Sequence, residues 1–189
     1  MLSFQSFSKA DDIKELQIEG VSISENALDY FSKEKLDADK GYYPKSKKIW
    51  RSLIKLKDKE YDSLQLHIKS QNNKYIIVGV AGLIYFPNKK NSLERCKKKK
   101  NQIVKDLKNI LKNTKLSNEE KDKVQGDKSG KSYVLGSYFD FKVDKSEYVK
   151  VACTFYTKEY SKETGWSDYL RISLTSTEFN KFLNNEAYK

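Results

Sequence analysis

No apolar run in these 189 residues approaches the roughly 20 needed for a helix to cross a bilayer. Proline occurs only twice and glycine eight times, which argues against long flexible linkers. Arginine is scarce too: Arg51, Arg95 and Arg171 stand among 37 basic side chains. Phosphate and base-edge recognition favour the arginine fork, whereas lysine is a solvated point charge. The formal charge of +11 would concentrate anions such as nucleic acid or acidic lipid headgroups. A lysine- and asparagine-rich chain also follows from AT-rich codons, so the charge alone names no partner. The single histidine, His67, sits at an outward strand position, and no His/Cys cluster has metal-ligand spacing. The acidic residues lack a paired-carboxylate signature. These absences leave no catalytic residue, metal site or cofactor to assign.

Aromatic residues are plentiful. Thirteen Tyr and nine Phe are too many for a disordered chain, and the length suffices to bury a core. The stretch 91–114 carries the longest helical stripe, with Leu93, Cys96, Lys100, Ile103, Leu107, Ile110 and Thr114 on one side. Asn91 and Glu94 have the spacing of a capping box. Lys100 falls on the stripe and is expected to snorkel outward.

Three strands are predicted before this helix. In 48–56, Trp50, Ile54 and Leu56 oppose Ile49 and Leu53. In the second, Leu64, Leu66 and Ile68 alternate with Gln65 and His67; the third, 74–86, is apolar on both sides. Gly79 and Gly82 within it suggest a bulge or the close approach of the helix. Three more strands follow, around Tyr133–Phe141, Val149–Phe155 and Leu170–Leu174. The stretch 115–131 reads as a mobile polar loop, Ser24 as a helix cap, and Thr175 with Glu178 as the cap of a last helix. The expected fold is α+β, with antiparallel sheet in α-βββ-α-βββ-α order and the 91–114 helix packed on it. Residues 11–189 form one domain, with 11–90 and 91–189 as possible halves.

Both cysteines, Cys96 and Cys153, lie on apolar faces, and a helix packed on the sheet would let them meet. A bridge between them belongs to an oxidising compartment; reduced, buried cysteines are the alternative. Ser8-Lys9-Ala10 before Asp11-Asp12 has the small residues of a signal-peptidase site, with cleavage between Ala10 and Asp11. Residues 1–10 are then read as a signal-peptide remnant. Gly126-Asp127-Lys128-Ser129-Gly130-Lys131-Ser132 has three residues where a phosphate-binding loop needs four before its Gly-Lys-Ser, and reads as a polar turn. Tyr160, Trp166, Asp168 and Tyr169, on a predicted loop, are the candidate ligand-binding residues.

The segments Ile18-Glu19-Gly20-Val21-Ser22-Ile23, Ala27-Leu28-Asp29-Tyr30-Phe31 and Leu66-His67-Ile68-Lys69, with the Cys96 helix, Cys153 and the final Glu178-Phe179 to Ala187-Tyr188, resemble a family of uncharacterised small exported bacterial proteins. The likeness covers most of the chain and implies export, but no activity. A fainter similarity to small outer-membrane-assembly lipoproteins lacks their lipid-attachment cysteine near the N-terminus. The function expected is a non-enzymatic periplasmic or secreted binding module for a small ligand or an envelope protein. The alternative is a cytoplasmic lysine-rich nucleic-acid binder.

Overall fold

The computed structural model describes residues 10–71, 74–87 and 90–189. Its centre is one antiparallel sheet of nine strands. Strands β1 (Lys40–Tyr42), β2 (Ile49–Lys55), β3 (Ser63–Gln71) and β4 (Lys74–Phe86) run consecutively from one edge. Strands β5 (Lys115–Leu116) and β6 (Glu120–Lys123) both pair with β7 (Tyr133–Asp140), which pairs with β8 (Tyr148–Phe155). Strand β9 (Asp168–Thr175) lies between β8 and β4. Two three-stranded meanders, β2-β3-β4 and β7-β8-β9, therefore meet through their last strands. Helices α1 (Lys33–Asp37), α2 (Ser92–Ile110), α3 (Lys158–Thr164) and α4 (Thr177–Asn185) complete the α+β fold.

Strand alternation divides the side chains between two faces. On the first face, Leu64, Leu66, Val80, Val149, Val151, Cys153, Leu170, Ile172 and Leu174 make the floor of the main core. Helix α2 lies on it through Cys96, Ile103 and Leu107, as the stripe predicts, and the N-terminal segment adds Ile13, Leu16, Val21, Ile23 and Leu36. Cys96 of α2 and Cys153 of β8 are paired as a disulfide that clamps the helix to the strand. On the second face α4 sets Phe179 and Phe182 against Ile49 and Val78, with Tyr43 packed beside them.

Several local expectations are corrected. Asn91 has a left-handed backbone (φ 57°) and its side chain makes no cap bond; Ser92 anchors the helix start instead, its hydroxyl donating to Asp168 Oδ2 at 2.6 Å. Lys100 does not reach water: its side chain is 2% exposed and its ammonium donates to Glu119 Oε2 at 2.6 Å. Ser24 (φ 72°) caps nothing; Asn26 caps a short 3-10 turn at Ala27–Asp29, and Ser32 caps α1. Thr175 still pairs in the sheet, so the cap of α4 falls one residue later, on Ser176. The stretch 115–131 is not wholly a loop, because β5 and β6 form backbone pairs on β7; all four β6 side chains are exposed, so no apolar pattern announces the strand. Asp127 caps the turn after β6 by accepting from the N–H groups of Ser129 and Ser132, which holds its carboxyl far below the usual range.

Candidate functional site

The second face of the sheet is covered only in part. Between α4 and the α3–β9 connection lies an open groove of about 730 Å³. Its floor is low where small residues alternate onto it, Ser173 and Thr175 on β9. Taller side chains stand around them, with Arg51, Lys150, Tyr148 and Tyr85 on the strands and Trp166 at one end. Tyr43, Leu183 and Tyr188 flank the end nearer α4. From Tyr169 to Thr175 the groove follows β9 for about 20 Å at ordinary strand rise.

Arg171 stands at its centre. Nη1 donates to Gln65 Oε1 at 2.6 Å and Nη2 approaches His67 Nε2 at 3.2 Å. A guanidinium has no lone pair to offer, so His67 Nε2 must be the acceptor. The imidazole proton then sits on Nδ1, which donates to Tyr43 Oη at 2.7 Å. The ring also stacks on Phe179, centroid to centroid 4.2 Å, and is buried. His67 is therefore no surface histidine, because α4 closes over its side of the strand. Burial first, then the charges of Arg171 and Arg51, hold its pKa well below the ordinary value. Burial likewise raises the Tyr43 hydroxyl. The result is a neutral His67–Tyr43 pair that supports a cation.

Both partners of Arg171 are neutral, and among the described residues no carboxylate makes an ion pair with Arg171, Arg51 or Lys150. Lys150 lies over the Tyr138 ring at 4.8 Å, and burial lowers its pKa despite the field of Asp122 and Glu120. Asp39 is the acid on the rim. The arrangement can hold an anion beside flat apolar surface. It presents no nucleophile paired with a base, and among the described residues no three His, Cys, Asp or Glu side chains gather as a metal site would need.

The residues predicted to bind a ligand are brought together unevenly. Tyr160 and Trp166 meet Tyr156 and each other at 5.7 to 6.0 Å, and Tyr169 joins Tyr156 at 6.2 Å and Tyr85 at 6.3 Å. Trp166 and Tyr169 line the groove. Asp168 is on the opposite side of β9, buried, where it accepts from Ser92 and from the Tyr156 N–H (2.9 Å). Arg171, Gln65, Arg51 and Lys150 carry the site without having been singled out in the sequence. The usable signal was their alternation with core residues on strands already predicted.

Ala10 is buried, its N–H directed at Ile110 O (3.5 Å), and Asp11 accepts from Asn113. The remainder of the predicted signal-peptide remnant, 1–9, lies outside the described residues. Among the described residues no helix is long and apolar enough to cross a membrane. Comparison with models of known protein families, with curated proteins and with solved structures yields no match.

Proposed function

We propose that the protein is an exported, non-enzymatic binding module that receives its ligand on the open face of the sheet. The observation that carries this reading is the groove built around Arg171, a cation held between neutral acceptors and left facing an unfilled space. Keeping charge half-buried without a counter-ion costs stability, a cost that a bound anion offsets. The Cys96–Cys153 pair supports a periplasmic or secreted location, since such bonds persist in oxidising compartments. The resemblance to small exported bacterial proteins points the same way. An envelope protein or a small ligand is the partner class.

The rival reading is a cytoplasmic polynucleotide binder. Exposed Lys98, Lys105 and Lys108 on the outer side of α2 favour it, as a basic helix surface attracts phosphate backbones. One experiment separates the two. A photo-crosslinking amino acid is placed in native cells at Trp166 or Arg51 on the groove rim, or at Lys98 or Lys108 on α2. Adducts from the groove positions, in the envelope or secreted fraction, support the binding module. Nuclease-sensitive adducts confined to the α2 positions would overturn it. Intact mass adds the compartment: a gain of about 2 Da on reduction reports the disulfide.

A further inference from the structure

We infer that the ligand of this groove is an extended acidic peptide segment, with a carboxylate on Arg171 and an apolar or aromatic side chain against Tyr169 and Trp166. The inference rests on the groove-binding reading and names its ligand class. Charge complementarity comes first: Arg171, Arg51 and Lys150 face the groove, against Asp39 on the rim. Each is a donor-only side chain, which suits a carboxylate. Gln65 and His67 fix the guanidinium before any ligand arrives, so little side-chain entropy remains to be lost on binding.

Spacing supplies the second argument. Tyr169, Arg171 and Ser173 occupy alternate positions of β9, about 7 Å apart along the groove. A peptide extended along the strands carries same-side residues at the same interval. An Asp or Glu over Arg171 then places the residue two positions away over Tyr169, beside Trp166. The small floor at Ser173 and Thr175 leaves the depth for such side chains.

The test is a selection of random twelve-residue displayed peptides on the oxidised full chain, run in parallel on Arg171→Gln. Arg51→Gln, at an exposed position, provides a charge variant that leaves the Arg171–His67 network in place should Arg171→Gln fail to fold. The expected winners carry Asp or Glu two residues from an aromatic. Synthesised and measured by titration calorimetry, they should bind at least tenfold more weakly when the acid is made an amide, or on Arg171→Gln. Binding should weaken several-fold on Arg51→Gln. Winners without acidic residues, indifferent to both variants, would refute the acidic ligand and leave the groove reading standing. Groove resonances of Trp166 and Tyr169 that answer to an oligonucleotide or an oligouronate, and to no selected peptide, would refute the peptide. If no winner and neither oligomer moves those resonances, the groove reading falls with it.

Discussion

Reducing the Cys96–Cys153 bond should lower stability by about 4 kcal/mol without unfolding the protein. The bond joins residues 57 apart in sequence. In the chain-entropy description, closing a loop of that length removes about 14 cal/mol/K from the unfolded ensemble, or about 4 kcal/mol at 25 °C. The folded state keeps other means of holding α2. Ile103 and Leu107 are buried against the sheet, and Ser92 still bonds Asp168 across the helix start. A domain of this size can lose such an amount and remain folded if its stability lies within the usual 5–15 kcal/mol. The assay is urea unfolding of one preparation with and without reductant, followed by tyrosine and tryptophan fluorescence. Using the same side chains in both samples keeps cavity effects out of the comparison. With a slope of about 2 kcal/mol/M, the midpoint should fall by about 2 M on reduction. Midpoints closer than about 0.3 M would refute the loop-entropy argument. A reduced protein with no cooperative transition would refute the claim that α2 docks on its own contacts.

Gly79→Ala should cost about 1–3 kcal/mol in chemical unfolding, because a Cβ there would lie 2.6 Å from the Phe179 ring and 3.3 Å from His67. Amide exchange should show the loss first in α4, and unchanged protection of α4 would contradict the packing. Glu119→Gln should destabilise the fold by about 1–3 kcal/mol, leaving the buried Lys100 ammonium without its counter-ion. Lys100→Met should cost much less, and the reverse ranking in thermal melts would count against this account. His67 should also set a pH dependence. Its folded pKa lies below the ordinary 6.5, so the unfolded chain binds the extra proton. Its contribution to stability is thus fully present above about pH 7 and is lost as pH falls from about 6.5 toward the folded pKa. The slope of stability against pH over that window should flatten in His67→Gln; an identical slope in the variant would rule out His67 as its source.

Where one face of an element is buried against a distant partner, the sequence carries the evidence, because burial imposes the period. The stripe of Cys96, Ile103 and Leu107 and the alternation of Leu64, Leu66 and Ile68 are legible for that reason. Strand β6 is not, since its Glu-Lys-Asp-Lys side chains are all exposed and what joins it to β7 is backbone pairing with Lys121 over the Tyr133 ring. Asn91 shows a second limit. Its spacing to Glu94 fits a capping box, but the chain enters α2 through a left-handed residue that turns the side chain away. Cap motifs describe a local preference, and the tertiary bond from Ser92 to Asp168 overrides it here.

The site was harder to read because no segment contains it. Arg171 and its partner Gln65 are 106 residues apart, and they meet only because β4 and β9 join the two meanders edge to edge. Proximity in sequence misleads in the same way. Asp168 stands next to Tyr169 in the chain but belongs with Leu170, Ile172 and Leu174 by parity only, pointing to the α2 side. Alternation puts His67 on the face away from Leu66 and Ile68; what the strand does not reveal is that Phe179, over a hundred residues later, covers it. Gly79, paired directly with His67, was the trace of that cover in the sequence. The same parity that fills one face with Val, Leu and Cys leaves the other with Gly, Ala, Ser, Arg and Tyr. The disulfide-clamped helix and the N-terminal segment together cover the first face. Any ligand approaching the sheet is therefore left with the second, where the cation at Arg171 is already held in place.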